Sequence, residues 1–188
     1  MQNSFTESVT TEEPIDQGQI FEKVLFSGAE SYYKAILVTA VCDIVNQDKL
    51  DYFNFCAVLP FRVLFFNYLN ELKIAETEFH GLTVGNDKEG KIVNFIKMII
   101  NGQFDRYHWL GKLPNSEDLW YVDYQLSQTI QKAKKQEIIA NRIAKTISPI
   151  KESIYGRFSN YIGRVGLPGN NSEKKIEAKA IYDFYKSS

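Results

Sequence analysis

Cysteine, histidine and long apolar runs are scarce in the sequence, and each shortage excludes a class of protein. Two cysteines occur, Cys42 and Cys56, and both lie in apolar stretches, so we expect neither a disulfide framework nor a four-ligand zinc site. The two histidines have no acid or nucleophile at a spacing typical of a catalytic or metal site. The longest apolar runs, residues 35–42 and 57–66, are shorter than the roughly 20 residues of a membrane span. We therefore expect a soluble, cytoplasmic protein that uses no metal or cofactor.

The rest of the composition is that of one globular domain. The chain has 188 residues, of which 44% are hydrophobic and 24% charged. A chain of this length buries enough surface to fold without a disulfide or a metal. Residues 1–16 are rich in Thr, Ser and Glu and contain no basic residue, which is unlike a signal peptide. We predict that residues 1–16 form a mobile acidic arm and that residues 17–188 form a single globular helical domain.

Hydrophobic periodicity predicts a mainly α fold. Between residues 19 and 45 the apolar positions recur at three- and four-residue steps, which is typical of amphipathic helix. Pro60 is expected in the first turn of a further helix, and the glycines and proline of residues 101–118 indicate a loop. Helices are also predicted over residues 91–100, over 124–147 and from about residue 172, and a short strand over 119–122. The predicted fold class is a single helical domain with a small β element and a helix-rich C-terminal third.

Charge is unevenly divided along the chain, although the net charge is −1. Residues 1–129 hold 10 basic and 18 acidic side chains, whereas residues 130–188 hold 12 basic and 5 acidic ones, which gives net charges of −8 and +7. A basic C-terminal part can bind nucleic acid, an acidic partner protein or the acidic part of a second copy. The two parts can equally complement each other within one fold, so charge alone leaves these alternatives open.

Basic and aromatic side chains alternate in the C-terminal part in a way that suits nucleic acid. Cations neutralise phosphates and aromatic rings stack on bases, although the same aromatic residues are equally typical of a buried helix face. A second candidate surface is the Arg-Tyr-His-Trp cluster of residues 106–109 in the predicted loop. The candidate nucleic-acid-binding residues are Lys132, Lys134, Lys135, Arg142, Lys145, Arg157, Arg164, Tyr161, Arg106 and His108.

One arrangement of residues is compatible with catalysis. Asp87, Glu89 and Lys91 place two carboxylates and a lysine next to a predicted turn, as metal-dependent nucleases require. The same acid-x-Lys spacing recurs twice after residue 172 in a helix whose pattern is solvated, so the spacing is not specific. We therefore predict that the protein is not an enzyme, and a nuclease is the least favoured alternative.

Part of the sequence resembles a known family. Residues 31–45, Ser-Tyr-Tyr-Lys-Ala-Ile-Leu-Val-Thr-Ala-Val-Cys-Asp-Ile-Val, followed by residues 50–72, resemble the N-terminal helical module of HNH-type modification-dependent restriction endonucleases. Residues 104–110 and 119–122 are similar to the aromatic segment and the tryptophan strand that follow that module. Ala35 stands where the family usually has proline, and the sequence has no histidine-asparagine-histidine set. The resemblance implies a helical module that binds DNA without cutting it.

The sequence therefore leads to two hypotheses about function. The first is a non-catalytic DNA-associated binding or accessory subunit, as in a restriction or phage-defence type system, whose basic residues contact phosphates. The alternative is a helical protein–protein adaptor of a multi-component assembly, or a homodimer held by its oppositely charged parts. Binding to phosphates weakens steeply with salt, whereas an apolar adaptor interface responds much less, so salt dependence separates the two hypotheses.

Overall fold

A curled antiparallel sheet dominates the fold. The computed structural model describes residues 5–10, 12–46, 50–81, 86–163 and 174–187. The strands are β1 Thr6–Glu7, β2 Gln19–Leu25, β3 Tyr32–Leu37, β4 Tyr52–Pro60, β5 Tyr107–Lys112, β6 Leu119–Gln131 and β7 Arg142–Thr146. They form one seven-stranded sheet in the order β1-β7-β2-β3-β4-β6-β5. The helices are α1 Val41–Val45, α2 Phe61–Glu71, α3 Glu76–Gly81, α4 Asn86–Ile100, α5 Lys135–Ile139, α6 Ile150–Gly163 and α7 Lys174–Ser187. The fold is therefore mixed α and β, and the prediction of a mainly α, single helical domain is wrong.

The largest error concerns residues 19–45, for which periodicity predicts helix. They form the antiparallel pair β2 and β3, followed by the short helix α1. Ile20 and Ile36 are buried on one face of this pair, whereas Phe21 and Leu37 are buried on the other. A strand that is buried on both faces loses the alternation of apolar and polar residues, so its apolar positions also match a helical spacing.

Other predicted elements have mixed outcomes. Residues 124–147 are not one long helix, because they contain the end of β6, a 3₁₀-helix at Lys132–Lys134, α5 and β7. The predicted loop over 101–118 contains β5. The predictions of helix over 91–100 and of strand over 119–122 are confirmed, since α4 and β6 include them. The helix α2 begins directly after Pro60, and α7 supplies the predicted final helix.

The sheet curls until its two edge strands meet. The hydroxyl of Thr6 in β1 donates a hydrogen bond of 2.9 Å to the carbonyl of Lys112 at the end of β5. Side chains from six strands then form one buried cluster with two residues of α6. Its members are Ile20, Ile36, Val38, Cys56, Val58, Leu110, Leu113, Trp120, Val122, Tyr124, Ala144, Ile154 and Phe158. We call this curled sheet the barrel, and α6 covers one of its ends.

Helices pack against the outer face of the barrel. The helices α2, α4 and α7 cover β5 and β6 with an aromatic-rich cluster, in which the rings of Phe65 and Tyr185 stack with centroids 4.9 Å apart. Residues of α1 and α5 join the outward side chains of β2, β3 and β4, such as Phe53 and Phe55, in a third cluster. None of the helices in the described ranges combines the length and the apolar character that crossing a membrane requires.

The residues predicted to be a mobile acidic arm contact the sheet where the structure describes them. In β1, Thr6 is opposite Thr146 and Glu7 is opposite Lys145 of β7. Ile15 is 5% exposed and belongs to the third cluster. Residues 5–10 and 12–16 thus lie along the edge of the barrel, and Glu7 and Glu13 bring their carboxylates to β7.

Candidate nucleic-acid interface

An ion pair between an exposed arginine and a buried aspartate lies where β5 begins. The Nε and Nη2 atoms of Arg106 donate hydrogen bonds of 2.8 and 2.6 Å to Oδ1 and Oδ2 of Asp123. The Asp123 side chain is 2% exposed, whereas the Arg106 side chain is 41% exposed. The backbone N–H of Gln125 donates a further hydrogen bond of 3.0 Å to Oδ1 of Asp123. A buried carboxylate therefore orients the guanidinium and uses only part of its donor set.

An irregularity of β6 places this pair. Along β4, the pairing shifts between Cys56, which is opposite Ser127, and Ala57, which is opposite Asp123. Residues 124–126 therefore bulge out of the ladder immediately after the aspartate. Such bulges bend a strand and re-aim its side chains, and they are frequent beside functional sites.

Arg106 also lies against an aromatic ring. Its Cζ atom is 5.0 Å from the centroid of the Tyr107 ring, which packs edge-on against Tyr121 with centroids 5.4 Å apart. The hydrogen bond with Asp123 raises the pKa of Arg106, and burial raises the pKa of Tyr107. The surface near neutral pH therefore combines a permanent cation with a neutral phenol ring.

Arg157 of α6 supports this site from behind. Its Nη2 atom donates hydrogen bonds of 2.7 and 2.9 Å to the carbonyl oxygens of Phe104 and Tyr107, and burial lowers the pKa of the guanidinium. At Gly102, where φ is 63°, a Cβ atom would overlap the guanidinium of Arg157. Arg157 thus holds the segment that carries Arg106. We call Arg106, Tyr107 and Asp123, with Arg157 behind them, the Arg106 platform.

Three other predicted candidates, His108, Tyr161 and Arg164, lie close to Arg106 or Arg157 in the sequence. His108 is 6% exposed in β5, with its ring centroid 6.3 Å from that of Tyr124, so the predicted exposed cluster at 106–109 is a strand with a buried histidine. Tyr161 is half-buried on α6, and its ring centroid is 6.1 Å from that of Tyr124. Arg164 lies outside the described residues. The structure therefore brings His108 and Tyr161 to the interior side of the platform rather than to its surface.

Two candidates on β7 are engaged by the N-terminal residues. Arg142 is 9% exposed, its Nη2 atom donates a hydrogen bond of 2.8 Å to the carbonyl of Thr10, and burial lowers its pKa. The Nζ atom of Lys145 lies 2.7 Å from a carboxylate oxygen of Glu13 and 3.3 Å from one of Glu7. These two cations therefore hold the N-terminal segment in this structure.

The remaining candidates lie at the C-terminal end of β6. Lys132 and Lys134 belong to the 3₁₀-helix, and Lys135 begins α5. Lys134 is exposed and the other two are half-buried. The predicted basic helix from 132 to 145 does not exist, because the chain turns through α5 into β7. The ten candidates thus fall into three separate places plus one residue outside the described ranges.

Sequence reasoning missed a cavity that four strands of the barrel line. It has a volume of about 370 Å³, and it is lined by Glu22, Lys34, Trp120, Ile143 and residues 113–116. Lys34 forms an ion pair with Glu22, and its Nζ atom is 4.9 Å from the ring centroid of Trp120. Four strands and one loop contribute these residues, so no spacing in the sequence connects them. The sequence signal for this cavity is that Glu22 and Lys34 are two positions from the buried residues Ile20 and Ile36. Residues two apart in a strand share a face, so the signal can be recognised once β2 and β3 are known to be strands.

The three residues of the acid-x-Lys arrangement form ion pairs. On α4, Lys91 pairs with Asp87 over 2.8 Å, and Glu89 pairs with Lys179 of α7 over 2.5 Å. Within the described ranges, no group of three or more His, Cys, Asp and Glu side chains is placed to hold a metal ion.

Comparison with protein-family models, curated proteins and solved structures finds no match to this chain.

Proposed function

We propose that the protein is a non-catalytic nucleic-acid-binding protein and that the Arg106 platform contacts the phosphate backbone. The observation that carries this proposal is the orientation of a half-exposed guanidinium by a carboxylate that is 2% exposed. Burying a carboxylate costs free energy unless it is paired, and here the pairing is with a side chain at the surface. An arginine that is held in place loses less entropy when it binds, and its planar donor set matches phosphate oxygens.

The neighbouring aromatic ring supports the same ligand. Tyr107 lies beside the guanidinium, so a phosphate on Arg106 brings the adjoining sugar and base close to an aromatic side chain. Phosphate contacts carry no sequence information, and base contacts do. The platform therefore fits a binder whose affinity comes mainly from the backbone of the nucleic acid.

The test is fluorescence anisotropy with labelled duplex and single-stranded DNA across a salt series. The variant Arg106→Gln/Asp123→Asn removes the cation without leaving a buried charge unpaired, and it keeps the net charge. A matched control, Lys91→Gln/Asp87→Asn, removes an exposed ion pair on α4. We expect the platform variant to bind about tenfold more weakly and its salt slope to fall by about 0.9, which corresponds to one lost phosphate contact. Equal affinities of the two variants, or no binding by the unmodified protein at low salt, would overturn the proposal.

A protein–protein adaptor remains the second candidate, and one observation favours it. Leu25 and Tyr32 are paired across the hairpin of β2 and β3, and they are 52% and 59% exposed. Adjacent exposed apolar side chains are typical of a contact surface. Sedimentation velocity of the unmodified protein and of Leu25→Ser/Tyr32→Ser tests self-association. Identical monomeric profiles at micromolar concentration would exclude a homodimer through this pair.

A further inference from the structure

The acidic N-terminal residues cover cations on β7 and α6. The Nζ atom of Lys145 lies 2.7 Å from a carboxylate oxygen of Glu13 and 3.3 Å from one of Glu7. The Nζ atom of Lys151 in α6 lies 2.5 Å from a carboxylate oxygen of Asp16. We call Lys145 and Lys151 the covered cations. Both belong to the basic part of the chain and all three carboxylates to the acidic part, so part of the charge asymmetry is satisfied within one molecule.

A polar cavity separates the N-terminal segment from the barrel at this point. Its volume is about 300 Å³, and its lining includes both covered cations and the three carboxylates. The side chains of Lys145 and Lys151 are 31% and 21% exposed, so solvent and small anions can reach them. Ion pairs with this exposure are individually weak, and a ligand of higher negative charge can compete with them.

The backbone of the segment is attached more firmly than its carboxylates. Arg142 donates hydrogen bonds of 2.8 and 3.2 Å to the carbonyl oxygens of Thr10 and Pro14, and β1 pairs with β7. The carboxylates can therefore turn away from the lysines while the segment stays on the sheet.

We propose that the covered cations are a second phosphate-binding surface and that Glu7, Glu13 and Asp16 compete for it as an internal substitute for phosphate. In the unmodified protein the carboxylates hold Lys145 and Lys151, and the phosphate backbone of a nucleic acid takes their place where the carboxylates are removed or neutralised. This inference rests on the proposed function for the identity of the ligand. It adds an autoinhibitory contact: the acidic segment lowers the affinity of the protein for polyanions.

The test compares two variants that change the net charge by the same amount. Glu7→Gln/Glu13→Gln uncovers Lys145, whereas Glu12→Gln/Glu30→Gln alters two exposed carboxylates that are not partners of the covered cations. Anisotropy with the same labelled DNA is measured across a salt series. We expect Glu7→Gln/Glu13→Gln to bind roughly eightfold more tightly than the control at about 0.1 M salt and to have a salt slope steeper by about 0.9, because one phosphate contact is added. Lys145→Met should abolish this gain in the Glu7→Gln/Glu13→Gln background and change little in the unmodified background.

The possible outcomes separate this inference from the proposed function. If Glu7→Gln/Glu13→Gln and its control bind equally, or if Lys145→Met leaves the gain intact, the inference is wrong. If that happens while Arg106→Gln/Asp123→Asn still weakens binding, the proposed function stands alone. If no form binds DNA at low salt, including the uncovered one, both are wrong.

Discussion

Gly102→Ala tests whether the Arg106 platform depends on close packing behind it. Alanine at φ 63° is strained by about 1 kcal/mol, and its Cβ atom would displace the guanidinium of Arg157 from two carbonyl oxygens. Hydrogen bonds from a charged group are worth about 1.5–3 kcal/mol each, and water recovers part of that loss because Arg157 is not fully buried. We expect a total cost of about 3 kcal/mol. With an m-value of about 2 kcal/mol/M, the urea midpoint should fall by about 1.5 M.

The assay is urea unfolding followed by tryptophan fluorescence, together with DNA anisotropy. Gly156→Ala is the control, since its Cβ atom meets nothing within 4 Å and a glycine in a helix costs about 0.5–1 kcal/mol relative to alanine. It should stabilise the protein. In an Arg157→Met background, Gly102→Ala should cost only the backbone strain of about 1 kcal/mol. A Gly102→Ala variant as stable as the unmodified protein, or one with the same cost in both backgrounds, would show that Arg157 does not depend on close packing at Gly102.

Three further predictions concern the barrel and its edge. Asp123→Ala should cost about 3 kcal/mol in urea unfolding, because it removes a buried acceptor of three hydrogen bonds. A loss below about 1 kcal/mol would contradict a buried, hydrogen-bonded carboxylate at this position. Phe158→Ala should cost about 3–4 kcal/mol, since its side chain fills the end of the barrel, and an unchanged midpoint would contradict that packing. A hydrogen bond with Lys145 lowers the pKa of Glu13, so the contact is complete above the ordinary pKa of 4.5 and is lost as pH falls below it. In an NMR pH titration the midpoint of the Glu13 carboxyl should therefore lie below 4.5, and Lys145→Met should raise it towards that value.

The elements that could be predicted from sequence are those with one buried face. Ile92, Ile96 and Ile99 of α4 are buried and recur at a helical spacing between polar residues, so periodicity identifies the helix. The pair β2 and β3 is covered on both sides, and its pattern carries no polar alternation that would indicate strand. Strand partners distant in the chain then decide the fold, and a single sequence contains no direct record of them.

The candidate site could be predicted only in part, because some of its contacts form only when strands that are distant in the chain pair with each other. Arg106 and Arg157 can be nominated from their charge and aromatic neighbours. Asp123 cannot, because it becomes the partner of Arg106 only when β6 pairs with β5 and bulges. The reverse error affects Lys145, whose charge suggests a free cation until β1 brings Glu7 opposite it.

The closure of the barrel has a consequence for the order in which the chain acquires structure. In β1, Thr6 pairs with Thr146 at the end of β7, so the first described strand finds its neighbour only after all the other strands have been synthesised. Until β7 is present, β2 is an edge strand, because β2 pairs with β3 on one side and with β7 on the other. A nascent chain that ends before residue 140 exposes that edge and lacks α6 to fill the interior, which favours pairing with other chains. Contacts of such long sequence separation also slow folding, so the last quarter of the chain controls when the barrel forms.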